Sequence, residues 1–383
     1  GARRLAEALK SNHTLYTLYL GDNHLGSAGM SHLSEMLKTN KSLIHIDVEN
    51  NDIRESGARE LAEALLINKT VATVYIGDNN IKDVGATHIA EAITRNNTVK
   101  TLNLGLNKIG DAGAKKFANA LKINRSISSL YLGDNKIGDE GAAYLSEGLK
   151  SNASVSILYL EMNKIGDAGA KCLADALRVN RSVATLDLET NKIGSTGGKY
   201  LGEALKENQT LTTIYLGENE IKEIGAKTMA EALKVNQTLL NLHLGANKIG
   251  FKGAKHLAEA LKLNQTLASL DIESNNIACK GAKHLAEALT INSTLSTLYL
   301  GGNMLGDKGA KHIAEALKKN KTTATLYMRG NKIGDRGAKH LSEALKINQS
   351  IATLNLGDNQ IGPEGRQYLQ EGLEAKQGSI GMQ

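Results

Sequence analysis

The chain is expected to fold as an α/β solenoid of about 13 repeats of 28 residues, with a parallel sheet on the concave side and helices on the convex side. Three observations point there. The first is an Asn ladder without insertions: Asn23, Asn51, Asn79, Asn107, Asn135, Asn163, Asn191, Asn219, Asn247, Asn275, Asn303, Asn331 and Asn359. A fixed period of this kind marks one supersecondary unit stacked many times. The second is strand-like alternation just before each Asn. The third is helical spacing of apolar residues after it.

The elements follow in order. In Ile127, Leu130 and Leu132 the spacing L-x-x-L-x-L buries one face of a short strand, while Tyr131 points the other way. Such a strand needs neighbours on both sides, which stacked copies supply as a parallel sheet. The ladder Asn sits at the bend after the strand. Its amide offers donors and acceptors to backbone groups that a buried reversal leaves unpaired, so its expected role is structural. Four positions on, Asp83, Asp111, Asp139, Asp167, Asp307 and Asp335, or Ser27 and Ser195, are expected to N-cap a helix. A Gly two residues later, as at Gly29 and Gly365, suits close packing. Ala254, Leu257, Ala258 and Leu261 then form one apolar helical stripe, with Lys255, Glu259 and Lys262 outside. A second Asn, such as Asn264, ends the helix. Strands stack at roughly 5 Å and helices at roughly 10 Å, so the stack should bend by on the order of 20° per repeat.

The L-x-x-L-x-L-x-x-N-x-I pattern with G-x-x-G-A-K-x-L-A-E-A-L-K resembles the leucine-rich repeat, in its ribonuclease-inhibitor-like subclass, over residues 1 to about 373. The near-uniform units are similar to the arrays of NOD-like receptor proteins, and arrays of this kind occur in bacterial effectors. The resemblance implies macromolecule binding on the concave face. Ribonuclease inhibitor commonly has Cys at the ladder position, whereas every such position here is Asn.

Composition shows no shift or linker, so residues 1–373 read as a single domain and 374–383 as an irregular tail. The start within a repeat suggests a fragment of a longer protein. Cys172 and Cys279 lie in different repeats and build no disulfide framework. No signal peptide or membrane span is recognisable, which favours a cytoplasmic setting.

Function is expected in the outward strand positions. Seven of the 11 tyrosines share one phase: Tyr19, Tyr75, Tyr131, Tyr159, Tyr215, Tyr299 and Tyr327. A row of rigid aromatic rings suits an interface. Asp47, Glu49, Glu161, Asp187, Glu189, Asp271 and Glu273 accompany it, while lysines such as Lys255 and Lys283 gather on the helices. The net charge of +6 therefore conceals an acidic face. That argues for a basic protein or peptide partner and against nucleic acid.

Several features carry less. Asp47/Glu49, Asp187/Glu189 and Asp271/Glu273 lie on non-adjacent repeats, too few ligands each for Ca²⁺. His256, His284, His312 and His340 occupy helices too far apart to share zinc. Gly194–Lys199 imitates a phosphate loop but is one residue short. Thirteen N-x-[ST] tripeptides share one turn phase, which explains them without glycans. Phe251 and Cys279 replace the capping residue in consecutive repeats. The expectation is a non-enzymatic protein-binding scaffold with no cofactor, no metal and no membrane or nucleic-acid partner. Its uncapped ends leave end-to-end self-association open. The alternatives are a GTPase-activating protein of the Ran type, or a sensor or autoinhibitory module of a larger receptor or a bacterial effector.

Overall fold

The computed structural model describes residues 1–380, with side chains to Lys376. These residues gather into two compact units, Gly1–Asn191 and Lys192–Gln383, where the sequence suggests one domain. In a solenoid each repeat touches only its neighbours, so no contact ties distant repeats into one globule. The first unit contains α1 (Ala2–Ser11), β1 (Thr17–Tyr19), α2 (Gly26–Thr39), β2 (His45–Asp47), α3 (Arg54–Ile67), β3 (Thr73–Tyr75), α4 (Lys82–Arg95), β4 (Thr101–Asn103), α5 (Asp111–Ile123), β5 (Ser129–Tyr131), α6 (Asp139–Ser151), β6 (Ile157–Tyr159), α7 (Asp167–Val179) and β7 (Thr185–Asp187). The second contains α8 (Ser195–Glu207), β8 (Thr213–Tyr215), α9 (Lys222–Leu233), β9 (Asn241–His243), α10 (Gly250–Leu261), β10 (Ser269–Asp271), α11 (Ala278–Leu289), β11 (Thr297–Tyr299), α12 (Gly306–Leu317), β12 (Thr325–Tyr327), α13 (Asp335–Leu345), β13 (Thr353–Asn355) and α14 (Pro363–Ile380).

The α/β solenoid read from the sequence is present in each unit. Neighbouring strands pair parallel and in register, so Tyr131 faces Tyr159 and Tyr299 faces Tyr327. The inward residues Leu130, Leu132 and Ile137 are buried with Leu145 and Leu149 of α6. Close packing explains the recurrent Gly: a Cβ on Gly57 would lie 2.2 Å from Ile53 Cγ2 and 3.2 Å from Met30 Cβ of the preceding helix.

The ladder Asn residues stitch repeats together. The Asn135 Oδ1 accepts the N–H groups of Asn107 and Ile109 at 3.0 and 2.9 Å, both from the preceding repeat. Its Nδ2 donates to Leu104 O at 3.1 Å, Leu132 O at 3.0 Å and Gly133 O at 3.1 Å. The residue before the ladder Asn is left-handed throughout, from Asp22 (φ 60°) to Asp358 (φ 53°), and includes Leu106, Met162 and Thr190. Such residues pay a steric cost that surrounding bonds must offset.

A second ladder went unread in the sequence. Asn68 does more than end a helix. Its Nδ2 donates to Leu37 O and Asn40 O of the preceding repeat, at 2.8 and 3.3 Å. Its Oδ1 accepts the Thr70 and Val71 N–H groups at 2.9 and 2.8 Å. The amide is wholly buried, which removes it from glycan chemistry. Lys376 stands where this Asn would recur after Asn348. Without that turn α14 continues to Ile380. Most of the stretch expected to be irregular from 374 is therefore helical, and 381–383 lie outside the described residues.

The capping expectation needs correction. The Asp residues do not cap their own helices; Asp83, Asp111, Asp139, Asp307 and Asp335 each cap the next one. Asp111 Oδ1 accepts Gly138 N–H at 2.7 Å and Gly141 N–H at 2.9 Å, at the start of α6. Asp83 does the same for Gly110 and Gly113, and Asp307 for Gly334 and Gly337. Where the preceding repeat has Ser27, Glu55, Glu223, Phe251 or Cys279 instead, the helix entry changes. Its first residue becomes left-handed, as at Arg54 (φ 60°), Lys82 (φ 52°), Gly250 (φ 68°), Ala278 (φ 53°) and Gly306 (φ 60°). That residue then donates to the next ladder Asn carbonyl, Lys82 N–H to Asn107 O at 2.9 Å. Only Asp has an acceptor at the reach needed to hold two N–H groups of the next turn. The Ser27 hydroxyl donates to Ile53 O instead, and Glu55 turns to Lys82.

A tyrosine and carboxylate face on the strands

The last residue of each strand points away from the core, and these positions form the row expected from the sequence. Tyr19 is exposed; Tyr75, Tyr131, Tyr159, Tyr215, Tyr299 and Tyr327 are half-buried. The structure gathers them into clusters rather than one even stripe. Tyr131 and Tyr159 meet edge-on at 4.8 Å, and Tyr299 and Tyr327 stack at 4.6 Å. Tyr215 stacks on His243 at 4.4 Å. Tyr19 and Tyr75 both touch His45, at 5.0 and 5.1 Å. His45 was missed in the sequence reading. It fills the gap left where the row holds Asp47, and it is the only aromatic side chain at the first strand position. Offset and edge-on ring pairs are the favoured geometries, so these rings are held in place before any ligand arrives.

The carboxylates divide into two kinds. Asp47, Asp187 and Asp271 each accept the backbone N–H two residues on, from Glu49, Glu189 and Glu273, at 3.0, 2.9 and 2.9 Å. Asn103 and Asn355 make the same turn bond without a charge. Asp187 is buried. These Asp residues therefore serve the turn first.

The Glu residues stand where the other repeats have Gly, apart from Arg329. Burial pushes the Glu49 carboxyl above the usual carboxylate range, and Asp47, Asp22 and Asp78 add to the shift. Its Oε1 accepts Asn103 Nδ2 at 2.6 Å. Burial also raises Glu273, with Asp271 adding, against the Gly301 N–H and Arg329. Glu161 is raised by burial, with Glu189 and Asp134 adding, and its Oε2 is buried without a hydrogen-bond partner.

The rim acids are less available than the sequence suggests. Glu220 pairs with Lys248 and Lys222, Asp358 with Arg329, and Asp52 with Arg54. The acidity that burial raises lies on the strand face, at Glu49, Glu161 and Glu273.

The sign of the titration follows. A carboxyl whose folded pKa is raised binds its proton more tightly folded than unfolded. Stability is then lost as pH rises from the ordinary carboxylate range through the raised value. Glu161→Gln is expected to raise the melting temperature at pH 7, with the gain shrinking as pH falls from the raised value to the ordinary carboxylate range. A lower melting temperature for Glu161→Gln at pH 7 would count against this account.

The motifs set aside in the sequence keep structural places. Gly194 is an extended helix entry like Gly110. His284 and His340 lie beside Glu287 and Glu343 of their own helices. Among the described residues no three His, Cys, Asp or Glu side chains gather as a metal centre would. No helix among them is long and apolar enough to cross a membrane. The Phe251 ring carries Lys280 Nζ at 5.3 Å.

The model of the family described as Leucine Rich repeat matches residues 11–34, 39–62, 95–118, 124–146, 151–174, 179–202, 235–258, 263–286, 292–314, 324–342 and 348–369. The chain belongs to the leucine-rich-repeat family. Among solved structures, this leucine-rich-repeat chain is similar to an internalin (inlF) from Listeria monocytogenes str. 4b F2365. The two share 18% identity over 97% of this chain and 92% of that one, at a TM-score of 0.56. It is also similar to leiomodin-1 actin-binding site 2, at 20% identity over 40% of this chain and 90% of that one, with a TM-score of 0.35. No curated protein sequence matches it. The family match accounts for the frame of the repeat.

Proposed function

We propose that this leucine-rich-repeat chain is a non-enzymatic scaffold that binds a basic protein segment on its strand face. The carrying observation is the placement of Glu49 and Glu273, each raised by burial, beside Tyr75 and Tyr299 in the ordered ring clusters. An Arg or Lys side chain relieves both conditions at once. It compensates the carboxylate, and it lies favourably on the ring face. Rigid tyrosines supply contact area at small entropic cost. The full helices, 14 residues in α2 and 11 in α13, support the ribonuclease-inhibitor-like subclass. The unpaired Cys172 and Cys279 fit a reducing, cytoplasmic compartment.

The test is binding to immobilised synthetic peptides that carry Arg and Lys, against acidic counterparts. The chain is expected to retain the basic set. The combined Glu49→Gln, Tyr75→Ala, Glu273→Gln and Tyr299→Ala variant should lose about ten-fold or more in affinity. Unchanged binding by a folded variant, or preference for the acidic peptides, sinks the reading.

A further inference from the structure

A second surface lies on the rim where the helices end and the chain turns toward the strands. In the first unit, three alternate repeats carry an aliphatic residue, Asn and a cation there: Ile67-Asn68-Lys69, Ile123-Asn124-Arg125 and Val179-Asn180-Arg181. The middle Asn is a buried rung of the second ladder, so its two neighbours project outward. Ile67, Ile123 and Val179 are 52%, 63% and 56% exposed. Each cation folds back over the helix end beside its aliphatic neighbour. Lys69 Nζ donates to Leu66 O at 3.2 Å. Arg125 donates to Leu121, Lys122 and Asn124 carbonyls at 2.9–3.0 Å. Arg181 donates to the Arg178 and Asn180 carbonyls at 2.8 and 3.0 Å. Among the described residues, no carboxylate stands within ion-pair distance of these three cations. The second unit lacks this combination: Val235, Leu263, Ile291 and Ile347 are as exposed, but Gln237, Gln265, Ser293 and Gln349 take the cation's place.

We propose that this rim of the first unit docks on an anionic lipid bilayer surface, with the aliphatic side chains in the interface and the cations at the headgroups. Charge complementarity selects an anionic partner. The spacing selects a bilayer over an acidic protein. Arg95 and Ser151 occupy the aliphatic position in the intervening repeats, so the apolar residues stand singly. A protein interface needs a contiguous desolvated centre, whereas a lipid interface accepts separate aliphatic side chains flanked by cations. Nucleic acid offers no apolar phase to receive them. A chain without a membrane-spanning helix can bind a bilayer in this way.

The experiment is co-sedimentation of the full chain with phosphatidylcholine vesicles, with and without phosphatidylserine. Binding is expected only with phosphatidylserine, and added salt should weaken it. Arg125→Gln should lower binding about five-fold, and Arg125→Lys, which keeps the charge, should retain it. Ile123→Ser should lower binding by a similar factor with its melting temperature unchanged, and Ile291→Ser in the second unit should lower nothing. Failure to bind phosphatidylserine vesicles overturns the proposal, including when a soluble acidic peptide or DNA is bound instead. So do equal losses from Ile123→Ser and Ile291→Ser, or from Arg125→Lys and Arg125→Gln.

Discussion

Asn135→Ala is expected to lower stability by about 3–5 kcal/mol. The side chain makes five hydrogen bonds, two as acceptor and three as donor. Alanine removes all five and fills none of their places. The N–H groups of Asn107 and Ile109 then face a buried space without an acceptor, each at a cost of about 1–3 kcal/mol. The lost donors add to this, because Leu104 O and Leu132 O lie in the buried turns of two neighbouring repeats. Asn135→Asp restores the acceptor but not the donors, and it buries a charge, so it should not rescue the protein. Denaturant melts give the total. Hydrogen exchange at the Asn107 and Ile109 amides gives its location, one repeat before the substitution. A loss under about 1 kcal/mol, or faster exchange confined to the mutated repeat, would contradict the ladder's role between repeats.

Asp111→Ala is expected to loosen α6, not the helix that Asp111 itself begins. The carboxylate accepts two N–H groups, from Gly138 and Gly141, and bonds to a charged acceptor exceed neutral ones. Loss of a capping side chain of this kind costs about 2 kcal/mol. Exchange should quicken at Gly138 and Gly141 while the first turn of α5, held by Asp83, stays protected. Asp111→Asn keeps an acceptor and should cost less. If the first turn of α5 is the one that opens, the carboxylate caps its own helix and the account here is wrong.

Much of this molecule is legible from its period. The alternation at Leu130 and Leu132 places the strand face, and the stripe at Ala254, Leu257, Ala258 and Leu261 places the helix face, because burial depends on local geometry. The phase of the tyrosines follows from the same count. The candidate face is less legible. Asp47 and Glu49 look alike as charges in the sequence, yet one serves a turn and the other is a half-buried carboxylate among rings. His45 becomes part of the row only because the rings on both neighbouring strands reach it.

The sequence by itself determined the solenoid, the two faces of each repeat and the residues free to vary. Only the tertiary structure decided which repeat each polar side chain serves. The physical reason lies in the periodicity. In a chain whose units are near-copies, the groups at a given position of one repeat match those of the next. Asp111 could meet the same kind of N–H on its own helix as on α6, and the pattern of residues is the same either way. The distances across the stack, 2.7 and 2.9 Å to Gly138 and Gly141, select the neighbour.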